Sequence, residues 1–226
     1  MTTPSHSDPG FERLIRDLAT DLPPVRPLRP PFVRALVWLA AVAAAALVFA
    51  SFSDLPVLER RLGAAPDMWL AAIGSAATAI LAALAAFRLS VPDAPRRWAA
   101  LPLPSALVWI GASGFGCLRT WLVPGTQVAD LDHARDCLVF IVGLSVPLSA
   151  LLVVMLRRAC PLAPGLTAAV AGLAAAAAAA TLLLFFHPFD AAATDLTVHA
   201  GAVALVIAAN RAFGRRLLGG NLSRPT

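Results

Sequence analysis

Six runs of roughly 19 to 22 largely apolar residues, at 34–52, 67–87, 98–118, 137–156, 165–186 and 193–213, constrain this chain more than any other feature. Each is close to the ~20 residues that an α-helix needs to cross the hydrocarbon core of a bilayer. Together they take up more than half of the 226 residues and leave short connections. In lipid the backbone must satisfy its own hydrogen bonds, so runs of this length read as helices. Composition agrees, at 59% hydrophobic and 14% charged, against soluble averages of about 45–50% and about 25%. The expected fold class is all-α: a six-span transmembrane helix bundle over 34–213, a cytoplasmic tail over 1–33 and a second cytoplasmic tail over 214–226. No room remains for a soluble catalytic domain. The first run starts near Ala35, too late and too long for a cleaved signal peptide, and reads as a retained span.

The net charge of +5 comes from 18 basic residues, every one of them arginine, against 13 acids. Most of the arginines flank spans, which is a topology signal and not a nucleic-acid footprint. With both termini in the cytoplasm, fourteen arginines fall inside, Arg34, Arg88, Arg157, Arg158 and Arg216 among them, against Arg60, Arg61, Arg119 and Arg135 outside. The positive-inside rule therefore orients the chain with both tails in the cytoplasm. Trp38, Trp69, Trp98 and Trp121 lie near span ends, where an aromatic belt would put them, and Trp109 lies mid-span. Pro102, Pro104 and Pro147 fall inside spans three and four and are expected to kink them. In span five Ala168, Gly172, Ala176 and Ala180 recur every four residues, a small-residue face that lets another helix approach closely.

The first tail carries its own pattern. Asp8 offers an N-cap and Pro9 a first helical position, after which Phe11, Leu14, Ile15, Leu18 and Leu22 recur at helical spacing. The expected element is a short amphipathic helix over 9–22, with Glu12/Arg16 and Arg13/Asp17 spaced for (i, i+4) pairing. Such a helix is marginal alone in water, so its apolar stripe needs a cover. Residues 9–22 hold three acids and two arginines, a net of −1, whereas helices that lie on membranes are usually rich in Lys/Arg on the polar face. The charge favours a protein partner, with Phe11, Leu14, Ile15, Leu18 and Leu22 filling an apolar groove and Arg13, Arg16 and Asp17 setting register. Residues 23–31, PPVRPLRPP, read as a stiff polyproline-type spacer.

Leu14-Ile15, Leu18-Ala19, Asp21 and the run Pro24-Val25-Arg26-Pro27-Leu28 ahead of six spans resemble the opening of NrsF-type membrane anti-sigma factors. Residues 157–164, RRACPLAP, before a Gly/Ala-rich fifth span, and residues 214–218, GRRLL, after the sixth, resemble that family too. The resemblance covers nearly the whole chain. It implies a bacterial inner-membrane protein, not an enzyme, that sequesters an extracytoplasmic-function sigma factor through its cytoplasmic tail. Release would follow an envelope signal, and no nucleic acid would be bound directly.

Cys117 ends span three and Cys137 begins span four, which puts both near the outer face, while Cys160 faces the cytoplasm. Only the first two share a compartment in which a disulfide persists. His133 and His187 also fall on the outer side, with Asp130, Asp132, Asp136 and Asp190 nearby in sequence. Thiolate, imidazole and carboxylate are transition-metal ligands. No resident cofactor is expected. The resemblance implies two periplasmic cysteines about fifty residues apart; Cys137 matches the first, and His187-Pro188-Phe189-Asp190 puts a histidine at the second. A Cys137/His187 pair can ligate a metal but cannot form a disulfide, which leaves metal sensing, redox sensing through Cys117, and plain packing as open readings.

A competing reading comes from Gly111-Ala112-Ser113-Gly114 in span three and His199-Ala200-Gly201 in span six. These resemble the serine and histidine motifs of rhomboid intramembrane proteases, with Ser113 as nucleophile and His199 as base. The serine stands in span three instead of four, and span two has no His/Asn oxyanion motif. A transporter is disfavoured by spans that carry almost no internal charge and show no inverted repeat.

Overall fold

A computed structural model describes residues 9–20, 27–64, 66–122, 131–159, 161–186 and 193–219. Among these residues there are eight α-helices and no strand. They are α1 (Pro9–Thr20), α2 (Pro31–Phe52), α3 (Leu55–Ala64), α4 (Pro66–Leu89), α5 (Leu103–Leu122), α6 (Leu131–Leu156), α7 (Pro164–Leu183) and α8 (Ala193–Gly219). All but α1 and α3 are long and apolar enough to cross a membrane. The six helices expected from the apolar runs are therefore present. At 1.5 Å per residue, the 22 residues of α2 extend ~33 Å, enough for a hydrocarbon core of about 30 Å.

The bundle is built around α7, which packs against α4, α6 and α8. Thirteen of its residues are buried, and nine of those are alanine or glycine. Large side chains face outward instead: Leu47, Phe52, Leu107 and Leu122 are all more than two-thirds exposed. An alanine core inside a Leu/Phe surface is the arrangement that suits lipid, where helices associate by close packing and gain nothing from hiding leucine. Water would penalise so much contiguous apolar surface. The structure is thus compatible with a multi-pass membrane protein.

The small-residue face of α7 meets α8. A Cβ on Gly172 would sit 2.9 Å from Asn210 Cβ and 3.1 Å from Ile207 Cα, and one on Gly214 would overlap Ala168 Cβ. Hydroxyls and one amide tie neighbours together. Thr181 Oγ1 donates to Ser75 Oγ at 3.0 Å between α7 and α4, Thr78 Oγ1 to Ser105 Oγ at 3.1 Å between α4 and α5, and Asn210 Nδ2 to Ser149 Oγ at 3.0 Å between α8 and α6.

Three expectations need correction. Pro102 and Pro104 stand at the start of an α-helix and not in its middle: the span Arg96–Phe115 opens with a 3₁₀ turn at Arg96–Ala100, α5 starts at Leu103, and Ala106 N–H donates to Pro102 O at 3.0 Å. Proline is at home in a first helical turn, where its missing N–H costs nothing; Pro147 alone lies inside a helix, α6. Trp38 is not a belt residue either. It is fully buried, and its Nε1 donates to Leu148 O at 3.2 Å. The third is Arg34, counted above as a topology arginine, which is only 8% exposed. Trp98 fits its expectation better, being half-buried with the Arg88 guanidinium 5.2 Å from its ring.

Candidate functional site

The amphipathic helix expected over 9–22 is observed as α1, Pro9–Thr20. Residues 21–26, with Asp21 and Leu22, and the capping residue Asp8 lie outside the described residues. Phe11, Leu14, Ile15 and Leu18 are 65%, 54%, 50% and 62% exposed, so the apolar stripe is bare along the helix. Arg13, Arg16 and Asp17 are exposed beside it. Thr20 Oγ1 closes the last turn on Arg16 O at 2.7 Å. A bare stripe of four large apolar residues on a twelve-residue helix can do one thing chemically, which is to dock into an apolar surface.

The spacer joins α2 in an extended backbone, with Pro30 at φ −50°, ψ 144°, close to polyproline geometry. Four residues further on, Arg34 turns into the bundle. Its Nη1 donates to Ser90 Oγ at 3.3 Å, just past α4, its Nη2 donates to Met155 O near the end of α6, and its guanidinium lies 5.0 Å from the Phe87 ring. Met155 O is among the last four carbonyls of α6, which have no partner within the helix. Ser90 Oγ itself donates to Phe87 O at 2.7 Å, and Thr167 Oγ1 near the start of α7 reaches Leu89 O at the end of α4 at 3.5 Å. The end of the bundle that receives the tail is therefore knit from α2, α4, α6 and α7.

At the opposite end, Cys137 is buried on α6 in a cluster with Ile141, Ala179, Leu183 and Ala202. Nearby, Phe49 of α2, Phe140 of α6 and Phe186 just after α7 form an aromatic cluster with centroids 5.4–6.1 Å apart. His187 lies outside the described residues, and Cys117 and His133 fall within α5 and α6 with side chains outside them. Among the described residues no three His, Cys, Asp or Glu groups gather as a metal site requires. Cys160 is also outside them.

Ser113 on α5 and His199 on α8 are both half-buried. A groove of about 370 Å³ lies between α6 and α8, but its polar lining is Ser145, Ser149 and Asn210, and it includes neither Ser113 nor His199. Sequence reasoning gave Arg34 and Trp38 only topology roles and passed over the Phe49 cluster. For Arg34 a signal was there to see: it follows Pro31 by three residues and opens an otherwise apolar run, and a charge within a span warrants a search for its partner.

A family model described as NrsF, negative regulator of sigma F, matches residues 18–219. The match covers nearly all of the chain and begins inside α1, so Phe11, Arg13, Leu14, Ile15, Arg16 and Asp17 precede it. Neither the curated proteins nor the solved structures gave a match.

Proposed function

Because the chain belongs to the NrsF family of negative regulators of sigma F, we propose that it is a multi-pass inner-membrane anti-sigma factor. In this reading the tail over 1–33 sequesters an extracytoplasmic-function sigma factor and releases it on an envelope signal. The observation that carries it is the bare stripe of α1, Phe11, Leu14, Ile15 and Leu18, each at least half exposed, on a helix too short to be stable without a partner. The net charge of −1 over residues 9–22 and the arginines that flank the spans support a cytoplasmic tail held for a protein and not for the lipid surface. Arg13, Arg16 and Asp17 set register on the sigma factor, and Leu22 extends the stripe.

The signal side is the outer face. Cys137 with His187 is the proposed sensing pair, with Cys117 and His133 close by in sequence, and a thiophilic metal or an oxidant is the chemistry those groups would answer. The family's description as a negative regulator supports the regulatory reading over a Ser113/His199 protease. The deciding experiment is co-purification from membranes. Leu14→Asp with Leu18→Asp puts two charges on the stripe, and the sigma factor should no longer co-purify while the protein's membrane content is unchanged. Retention of the sigma factor by that double variant would rule out the tail as the capture site.

A further inference from the structure

The span that joins the tail to the bundle is also one of the least embedded. Only 11% of the apolar stretch of α2 is buried, against 78% for α7. The directed contacts that hold it are few, and at three heights they run to α6. At the outer end the Phe49 ring sits 5.8 Å from Phe140. In the tail-side half Trp38 Nε1 donates to Leu148 O at 3.2 Å, and beside the spacer Arg34 Nη2 donates to Met155 O. Arg34 and Phe49 are fifteen residues apart, ~22 Å along the axis, so one straight helix links the two ends.

The chemistry of the inner fastening is unusual for a buried charge. Residues 31–52, 68–92 and 137–189, which make up α2, α7, all but the first two residues of α4 and all but the first six of α6, contain no Asp or Glu; Asp132 and Asp136 stand at the other end of α6 from Met155. Arg34 is held by a carbonyl, a hydroxyl and a ring face. Dipoles offset the desolvation of a guanidinium less completely than a carboxylate does. The side chain also starts next to the membrane surface, where a long cation can swing out to water. Such a contact specifies a position and can be undone. A movement of α6 by about 1–2 Å, the size of common helix shifts, is enough to break hydrogen bonds of 3.2 Å.

We propose that Arg34 and Trp38 form a latch that fixes α2 to α6 and so holds the tail where it captures its partner, and that disturbing the Phe49–Phe140–Phe186 cluster, which fastens the far end of α2, releases it. Arg34 and Trp38 are positioning residues, acting through the helix that carries the tail. The cluster lies next in sequence to the outer-face groups: Phe140 is three residues from Cys137 and Phe186 adjoins His187. A shift of α6 at that end carries Leu148 O and Met155 O away from their donors. The spacer, stiff by its proline content, then passes the displacement of α2 into the tail instead of absorbing it. This regulation rests on the reading of the tail as the capture element.

The test uses the full chain in nanodiscs, with Cys117, Cys137 and Cys160 replaced by serine and nitroxide labels at Phe32→Cys and Leu162→Cys, both exposed positions. Arg34→Gln, Trp38→Phe and Phe49→Ala should each move or broaden the label distance by about 2 Å. In cells carrying the native cysteines and no labels, the same variants should raise uninduced expression from the sigma factor's promoters. About threefold is expected for Trp38→Phe, which removes one interhelical donor and keeps the ring, and about tenfold for Arg34→Gln, which leaves a shorter neutral donor. Arg34→Lys should restore part of the repression. Should Arg34→Gln lower membrane content, Trp38→Phe decides. Label distances that stay at the parent value overturn the latch, and parent-level uninduced expression overturns its link to the tail. If instead Leu14→Asp/Leu18→Asp still co-purifies with the sigma factor, the tail reading fails while the label distances continue to report the latch.

Discussion

Gly201 and Gly214 lie thirteen residues apart on α8, and a methyl group added to each would meet different surroundings. At Gly214 it would overlap Ala168 Cβ on α7, whereas nothing lies within 4 Å of the position at Gly201. Gly214→Ala should therefore cost ~1–3 kcal/mol, the usual penalty of overpacking. Gly201→Ala should be neutral or gain up to about 1 kcal/mol from helix propensity. Unfolding the two variants by denaturant titration in detergent micelles checks the contrast, and equal stability would mean that α7 and α8 do not touch as described. Sequence had singled out Ala168 and Gly172 for close approach but could not say which helix approaches. Four-residue spacing is a property of one helix, and the identity of its neighbour is not.

Among the helices, α1 and α7 show how differently the elements were legible. The stripe of α1 alternates with polar residues, so its period could be read directly. The spans offer no such contrast, because nearly every position is apolar, and which face turns inward is decided by side-chain size. The buried face of α7 follows the size rule: Ala175 is fully buried there, whereas Leu107 on α5 is 68% exposed. Ala175→Leu should destabilise the bundle by ~1–3 kcal/mol, and Leu107→Ala should change it by less than ~0.5 kcal/mol. The comparison is read by thermal unfolding in the same detergent; a reversed order would place α7 outside the core. The prolines of α5 misled for a related reason. Pro102 and Pro104 were expected to interrupt a span; Pro104 stands in the first turn of α5, which tolerates it, and Pro102 just before that helix. A boundary error of a few residues changes proline from a kink to a start.

For the molecule as a whole, the proposed orientation and the proposed signal each have a direct measurement. If both termini are cytoplasmic, as proposed from fourteen arginines against four, a fluorescent protein fused after Thr226 should glow and alkaline phosphatase fused there should be inactive. The opposite pair of results would invert the topology. Cys137→Ser with His187→Ala should alter the dose response to thiophilic metals or oxidants without changing sigma-factor co-purification; an unaltered response would remove the pair from sensing. Sequence by itself determined the helical class, the six spans, the amphipathic tail and the family resemblance, because hydropathy, charge and turn residues are local along the chain. Only the tertiary structure decided that Trp38 and Arg34 turn inward, that α7 is the axis of the bundle, and that Phe49 meets Phe140 and Phe186. Lipid is as apolar as leucine, so hydropathy does not say which face of a span is buried. Shape and a handful of directed hydrogen bonds do, and both depend on residues far apart in the chain.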